Sequence, residues 1–381
     1  MSDICPYYGK CGGCTKPIIT FEEKKEKILT YIKNSNIEVE NNPILSYDGP
    51  QLNYRNRMDF VFSQEGPGLR EKGKFYKVIP IKECKIAHKK INEALSLVWE
   101  WFEEYKDELD VFDIEKTTGT LRYATIRASA FTKDLSVTFI LNENSPNINI
   151  AKEKIKVFAE KYQNKINNVI VGYVYHKTDQ STSKNIEVIK GKEFLFEKLN
   201  NITYKFHSQG FFQTNSLMTV LMLEHVKKLL DNDSNPVFID LFGGIGTFGI
   251  YMAENYEDVY ILDNNEFNIK MAIDNTIIND TINVFPYVLD AKEIKKFFEE
   301  KIGNKKFTLL VDPPRPGLHK KTVKFLYKYR PDKLIYVSCN PKNLEKELVN
   351  LKKIYKITNI AFFDNFPRTT HIEVILKLEL K

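Results

Sequence analysis

The spacing of apolar residues along the chain changes once, near residue 207. Before that point apolar and polar positions mostly alternate in twos, the period of a strand with one buried face. In "LNYRNRMDFVF" (52–62), Tyr54, Asn56, Met58, Phe60 and Phe62 share one face, and Arg55, Arg57 and Asp59 the other. "LRYATIRASAF" and "LSVTFIL", separated by "TKD", read as a hairpin. Helical spacing interrupts at 21–35, 88–106 and 147–163. After residue 207 short apolar runs ("VFIDLF", "VYILD", "VFPYVLD", "TLLVD", "LIYVS") alternate with helix-like stretches. Two more strands, "KITNIAFFD" and "HIEVILKLEL", end the chain. The pattern predicts an α/β chain in three parts. These are a Cys-rich arm with a helix (1–44), a mainly β central α+β domain (45–206) and a Rossmann-like, doubly wound domain (207–381).

Composition narrows the setting. The 381 residues are 43% hydrophobic and 28% charged, an ordinary globular balance. No apolar run approaches the roughly 18 residues that would span a membrane. The N-terminus lacks a charged-then-apolar signal pattern, so a cytoplasmic protein with no membrane partner is expected. The net charge of +6 is compatible with a nucleic-acid partner, because cations gain by releasing phosphate counterions. Three of the five cysteines lie within ten residues, which in a reducing compartment suggests metal before disulfide.

"FIDLFGGIGTFG" reads as a strand, a Gly-rich turn and a helix, with Gly244, Gly246 and Gly249 in G-x-G-x-x-G spacing. Such a loop lets backbone approach a nucleotide-like ligand, either a dinucleotide or S-adenosylmethionine. Asp263, Asp290 and Asp312 end the next three strands, where they could accept hydrogen bonds from a cofactor's ribose and adenine. Each could equally be a helix cap. Arg315 in "DPPRPG" suits a phosphate or a base carbonyl, or a surface ion pair. Cys339 in "VSCNP" follows the fifth strand of the series, where it is either a buried small hydrophobe or a nucleophile. A helix starting near Pro341 would lower its thiol pKa. His371 and Glu373 share one face of the last strand. A carboxylate there is costly without a task or a partner.

The motifs "GFFQTN", "DLFGGIGTFG", "VDPPRPG", "VSCNP" and "THIEV", in this order, resemble the RNA (uracil-5-)-methyltransferase family. The resemblance implies an S-adenosylmethionine-dependent enzyme that makes 5-methyluridine in a tRNA T-loop or in 23S-type rRNA. It gives Cys339 the role of a nucleophile at carbon-6 of uracil and Glu373 that of the base at carbon-5. It adds Gln213, Phe242 and Thr247 to the cofactor contacts, although the family often has Asn at the position of Thr247. Cys5, Cys11, Cys14 and Cys84 could hold zinc or a [4Fe–4S] cluster. Some family members carry a cluster at this spacing, which implies the cluster here, in a structural role. Other members begin with a small RNA-binding barrel that this chain lacks, so RNA grip is expected from the central domain. Arg55, Arg57, Arg122 and Arg127 are its candidates, unless they are solvated strand faces. No obligate protein partner is implied. The alternatives are an RNA cytosine-5 methyltransferase, a non-catalytic iron–sulfur RNA-binding protein and a nicotinamide-dependent oxidoreductase.

Overall fold

A computed structural model describes residues 5–381, so the first four residues of the expected arm lie outside it. The chain runs through α1 (Phe21–Ser35), β1 (Leu45–Tyr47), β2 (Arg57–Ser63), β3 (Gly66–Glu71), β4 (Lys74–Pro80) and α2 (Lys89–Tyr105). Next come β5 (Leu121–Ala128), β6 (Leu135–Asn142), α3 (Ile148–Lys161), β7 (Asn168–Val174), β8 (Asn185–Lys190), β9 (Phe194–Leu199), β10 (Ile202–His207) and α4 (Ser216–Leu229). Strict alternation follows: β11 (Val237–Leu241), α5 (Thr247–Tyr251), β12 (Asp258–Asp263), α6 (Glu266–Ile278), β13 (Val284–Val288), α7 (Ile294–Lys301), β14 (Phe307–Val311), α8 (Lys320–Tyr329), β15 (Lys333–Ser338) and α9 (Pro341–Leu351). Strands β16 (Tyr355–Phe363) and β17 (Glu373–Leu380) close the chain. Among the described residues no helix is long and apolar enough to cross a membrane.

Two compact units result. One takes the chain up to Ile18, Pro50–Glu197 and Phe206–Ser216; the other takes Ile19–Gly49, Lys198–Lys205 and Leu217–Lys381. In the first unit seven strands form one sheet in the order β4-β3-β2-β5-β6-β7-β8, antiparallel except for β6 beside β7. Strand β2 buries every second residue (Met58, Phe60, Phe62), as its alternation predicts. Strands β5 and β6 pair as the expected hairpin but are buried along their whole length. Burial reaches Arg122 and Arg127, each 3% exposed, so these two are not the solvated or phosphate-facing residues expected. They donate to main-chain carbonyls instead: Arg127 to His207 (2.8 Å) and Ser208 (3.4 Å), Arg122 to Tyr175 (3.3 Å) and Thr178. Buried guanidinium groups need such partners.

In the second unit the order is β1-β16-β17-β15-β14-β11-β12-β13. Strands β11 to β15 are parallel, β1 runs parallel to β16, and β17 inserts antiparallel between β15 and β16. From β11 the chain builds outward to β13, then returns to the other side of β11 with β14. That reversal is the topological switch point, where such sheets bind ligands at their carboxyl edge.

Helix α1 belongs to this second unit rather than to a separate arm. Its N-terminus is a capping box: Thr20 Oγ1 accepts the Glu23 N–H at 3.2 Å, and the Glu23 carboxylate accepts the Thr20 N–H at 2.7 Å. Ile28 and Ile32 join the apolar cluster of Leu344, Leu348 and Ile357. Lys24, 4% exposed, pairs with Asp364 at 2.7 Å. Removing either partner would leave a buried charge, at a cost of about 3–5 kcal/mol.

Candidate active site

The carboxyl edge of the eight-stranded sheet collects the chemistry-bearing residues. Phe242 leaves β11 with φ +70°, a left-handed conformation costing a bulky residue about 1–2 kcal/mol. Two bonds hold the bend: the N–H groups of Phe242 (2.9 Å) and Gly243 (3.1 Å) both donate to the Leu262 carbonyl. Gly244 (φ +56°) and Gly246 (φ +90°) need glycine's freedom. A Cβ on Gly246 or Gly249 would also strike Ile261, at 2.9 and 2.6 Å, so these glycines let α5 close onto β12. Gly244 has no described atom within 4 Å of where a Cβ would stand. Its N–H donates to Asp263 Oδ2 at 3.0 Å, and Asp263 Oδ1 accepts the Asn265 N–H at 2.8 Å. Asp263 thus fastens the glycine loop while keeping acceptor capacity for a ribose hydroxyl. The buried Thr247 starts α5, and its carbonyl accepts the Tyr204 hydroxyl at 2.8 Å.

Asp290 is exposed, and its Oδ1 accepts the Lys292 N–H at 2.9 Å. This is the capping arrangement that its sequence also allowed, and the bond from Lys292 holds the carboxyl below its ordinary pKa. Gln213 lies in the first unit. There Asn56, 6% exposed, donates to the Gln213 carbonyl (3.0 Å) and to Ser216 Oγ (2.9 Å). Asn56, just before β2 and in register with its buried face, therefore fixes the backbone of "GFFQTN".

Sequence reasoning missed Asp240. It is fully buried in β11, and its Oδ2 accepts the Gly249 N–H at 2.8 Å beneath the glycine loop. Burial pushes its carboxyl up to about 7. The available signal was an acid inside a parallel strand that is otherwise apolar.

Register brings Cys339 and Glu373 together. The ladder between β15 and β17 ends with Ser338 opposite Val374; Cys339 and Glu373 are the next residues beyond that pair, near enough that the Glu373 charge acts on the thiol. Asp312, just past β14, completes an acidic group. Burial and the charges of Glu373 and Asp312 push the Cys339 thiol up to about 11, against a lowering by Arg315. Burial, then Asp312, hold Glu373 well above the ordinary carboxyl range. Burial carries Asp312 up to about 7. The expected lowering by the N-terminus of α9 is overturned, because desolvation and two acids outweigh it. Among the described residues Glu373 makes no side-chain hydrogen bond, although it is 8% exposed.

A cavity of about 350 Å³ opens at Cys339, lined by Arg315, Asn340, His371, Ile372 and Lys27 of α1. Asn340 Nδ2 donates to the Arg315 carbonyl at 2.9 Å and Asn343 Nδ2 donates to the same atom, which locks the "DPPRPG" loop to the start of α9. His371 is exposed, and its N–H donates to Thr369 Oγ1 at 3.2 Å.

The N-terminal cysteines share one neighbourhood in the first unit. Cys11 and Cys84 are buried in its apolar cluster, and Cys14 packs against that cluster. Burial first, then the charge of nearby Cys5, raises both buried thiols; at Cys84 the charge of Cys11 adds to this. Among the described residues no three or more His, Cys, Asp or Glu are gathered to hold a metal ion. The expected ligand set is thus near but not assembled. Metal binding needs thiolates, and burial favours the neutral thiols.

A family model described as tRNA (uracil-5-)-methyltransferase matches residues 18–381. The tRNA (uracil(54)-C(5))-methyltransferase of Pyrococcus abyssi is 34% identical, over 98% of this chain and 85% of its own length. An uncharacterised RNA methyltransferase of Caldanaerobacter subterraneus is 29% identical, over 98% of this chain and 84% of its own. The crystal structure of the Pyrococcus abyssi enzyme in complex with S-adenosyl-L-homocysteine superposes with a TM-score of 0.76 at 31% identity, covering 94% of this chain and 82% of that one.

Proposed function

The chain belongs to the tRNA (uracil-5-)-methyltransferase family, and from that premise we propose that it methylates carbon-5 of uridine 54 in tRNA through a covalent adduct on Cys339. The observation that carries this reading is that Cys339 and a buried Glu373, which makes no side-chain hydrogen bond among the described residues, lie together just beyond the Ser338–Val374 pair, at the carboxyl edge of β15. Carbon-5 of uracil is a poor nucleophile until something adds at carbon-6. Cys339 loses its proton to solvent through the adjoining cavity, and its sulfur bonds to carbon-6. The ring electrons move onto the carbon-4 oxygen, and carbon-5 can then take a methyl group. Glu373 removes the carbon-5 proton, the double bond re-forms, and the sulfur leaves as thiolate. A carboxylate stripped of water is a strong base once ionised, which is the use of its raised pKa.

Cofactor contacts are proposed at Gly244, Gly246, Phe242, Thr247, Asp263, Asp290 and Asp312 and, from the resemblance of "GFFQTN", at Gln213. The open space over Gly244 and the spare acceptor capacity of Asp263 support it. When bound, S-adenosylmethionine supplies the methyl group, and its positive charge favours the ionised forms of the acids around it. Arg315, which lines the cavity, is proposed to meet a phosphate or a base carbonyl there.

Cys5, Cys11, Cys14 and Cys84 are proposed to hold a [4Fe–4S] cluster. An all-sulfur donor set supports this, with Cys11 and Cys84 in one apolar cluster and Cys14 packed against it. The cluster would tie the arm to the first sheet. Iron and acid-labile sulfide content of purified protein tests it, and zinc in their place would overturn it.

The function is tested by methylating unmodified tRNA transcripts and mapping the product nucleoside. The proposal expects 5-methyluridine at position 54 and none in a transcript with cytidine there. 5-Methylcytidine, or methylation of rRNA alone, would overturn it.

A further inference from the structure

The stretch "REKGKFYK" (70–77) carries four basic residues and one acid around two aromatic rings. It forms the tip of the β3–β4 hairpin, turning at Gly73 with φ +82°, and β4 is an edge strand of the seven-stranded sheet. Phe75 is 65% and Tyr76 52% exposed, with the two rings perpendicular and 5.8 Å apart. A single exposed aromatic is ordinary. Two adjacent ones among lysines, on an edge strand, leave stacking surface in water beside positive charge.

Tyr76 also lines a cavity of about 260 Å³ that reaches down to Arg122, Tyr123 and Phe112. The Arg122 guanidinium lies 3.9 Å from the Phe112 ring centroid, and its buried Nε makes no hydrogen bond among the described residues. Asp179 stands at the rim. It is held by Arg70, whose Nη2 meets its two oxygens at 2.8 and 2.9 Å, and by the Tyr123 hydroxyl. Asp113 and Glu115 also line the cavity, and three carboxylates there would repel a phosphate. A flat, uncharged ring that offers an acceptor to Arg122 and a donor to a rim carboxylate meets no such penalty. Outside the cavity, Lys72, Lys74 and Lys77 sit where a chain of phosphates could run; Lys74 and Lys77 share the single acid, Glu71, at 2.8 and 2.7 Å.

We propose that this hairpin and cavity bind an unpaired nucleotide of the substrate RNA, distinct from the uridine that reacts. The base stacks on Tyr76 or Phe75 with its edge toward Arg122, and the flanking phosphates follow the lysines. RNA readers take unstacked loop bases in this way, on aromatic faces beside cations. The hairpin is braced for the task from within its own unit. The Gly12 N–H donates to the Arg70 carbonyl at 2.8 Å, the Lys72 N–H donates to the Lys10 carbonyl at 3.0 Å, and Cys11 bridges to Glu71. The Cys-rich arm therefore lies along the hairpin.

The proposal rests on the reading of a tRNA substrate, and its test separates the two. Binding of an unmodified tRNA transcript is followed by fluorescence anisotropy, and its methylation by labelled-methyl transfer. The F75A/Y76A variant is expected to weaken tRNA binding about five- to hundredfold. Its kcat at saturating tRNA and its S-adenosylmethionine affinity should stay unchanged. Replacing the exposed Lys72, Lys74 and Lys77 with Gln should flatten the salt dependence of binding by about two to three units of slope. If the wild-type protein methylates the transcript while both variants bind it as tightly and with the same salt slope, the hairpin proposal falls and the tRNA reading stands. If the wild-type protein neither binds nor methylates the transcript, the tRNA reading itself fails.

Discussion

Each unit buries an ionisable side chain at a sheet, and the two are treated in opposite ways. In the first unit Arg127 lies inside β5 and spends its donors on the carbonyls of His207 and Ser208; burial, with Arg57 nearby, pulls its pKa down to about 9. In the second, Glu373 opens β17 with its carboxyl at the ligand edge and no hydrogen bond among the described residues. A buried charge matched to backbone carbonyls holds a fold together. A buried acid without a match is held in its neutral form by its raised pKa, and such acids mark candidate reactive sites. The contrast is the physical ground for proposing a structural role for Arg127 and a chemical role for Glu373.

Substitutions should fall into the same two classes. The largest effect is expected for Cys339→Ala. It should lower kcat for tRNA methylation by roughly 10⁴-fold or more, with S-adenosylmethionine binding by calorimetry unchanged within about twofold. Retained methylation would remove Cys339 from the reaction. Glu373→Gln should slow product release by about 10²- to 10⁴-fold and let methylated enzyme–RNA adduct accumulate on denaturing gels. Free product appearing at the wild-type rate would clear Glu373 of its role. Arg127→Met belongs to the other class: it removes the donor shared by the His207 and Ser208 carbonyls and should cost about 2–4 kcal/mol in urea unfolding. A loss of activity at full stability would contradict its structural assignment. Smallest are two opposed shifts at Cys339. Removing the negative neighbour with Asp312→Asn should lower the pH at which iodoacetamide captures this thiol, and removing the positive one with Arg315→Ala should raise it, each by about one unit or less. Shifts of the same sign would mean that the charges around Cys339 are misread.

Much of the second unit was legible, because a parallel sheet writes each strand as an apolar run ending at its ligand edge. The glycine spacing, the acids after β12 and β14, and Cys339 after β15 all follow from that grammar. Asp290 follows β13 as the spacing predicts, and there it caps a turn; spacing does not distinguish a cap from a cofactor contact. Asp240 was hidden because an acid inside a strand looks like any other polar interruption. The thiol was misjudged because a helix start is visible in "CNP", whereas the acids that oppose it come from strands far apart in sequence. In the first unit alternation located β2 correctly but misplaced Arg122 and Arg127. The period of two predicts which face a residue takes, and β5 is buried on both. Helix α1 was read correctly, but its attachment rests on Lys24 meeting Asp364, 340 residues away, which no local pattern records.

The central claim is that Cys339 bonds to the pyrimidine ring. Incubating the protein and S-adenosylmethionine with tRNA carrying 5-fluorouridine tests it most directly, since fluorine at carbon-5 cannot be removed as a proton and the adduct is trapped. The account predicts a denaturant-resistant protein–RNA species whose cross-linked peptide contains Cys339 and which Cys339→Ala abolishes. Methyl transfer without any such species, or a cross-link at another cysteine, would contradict it.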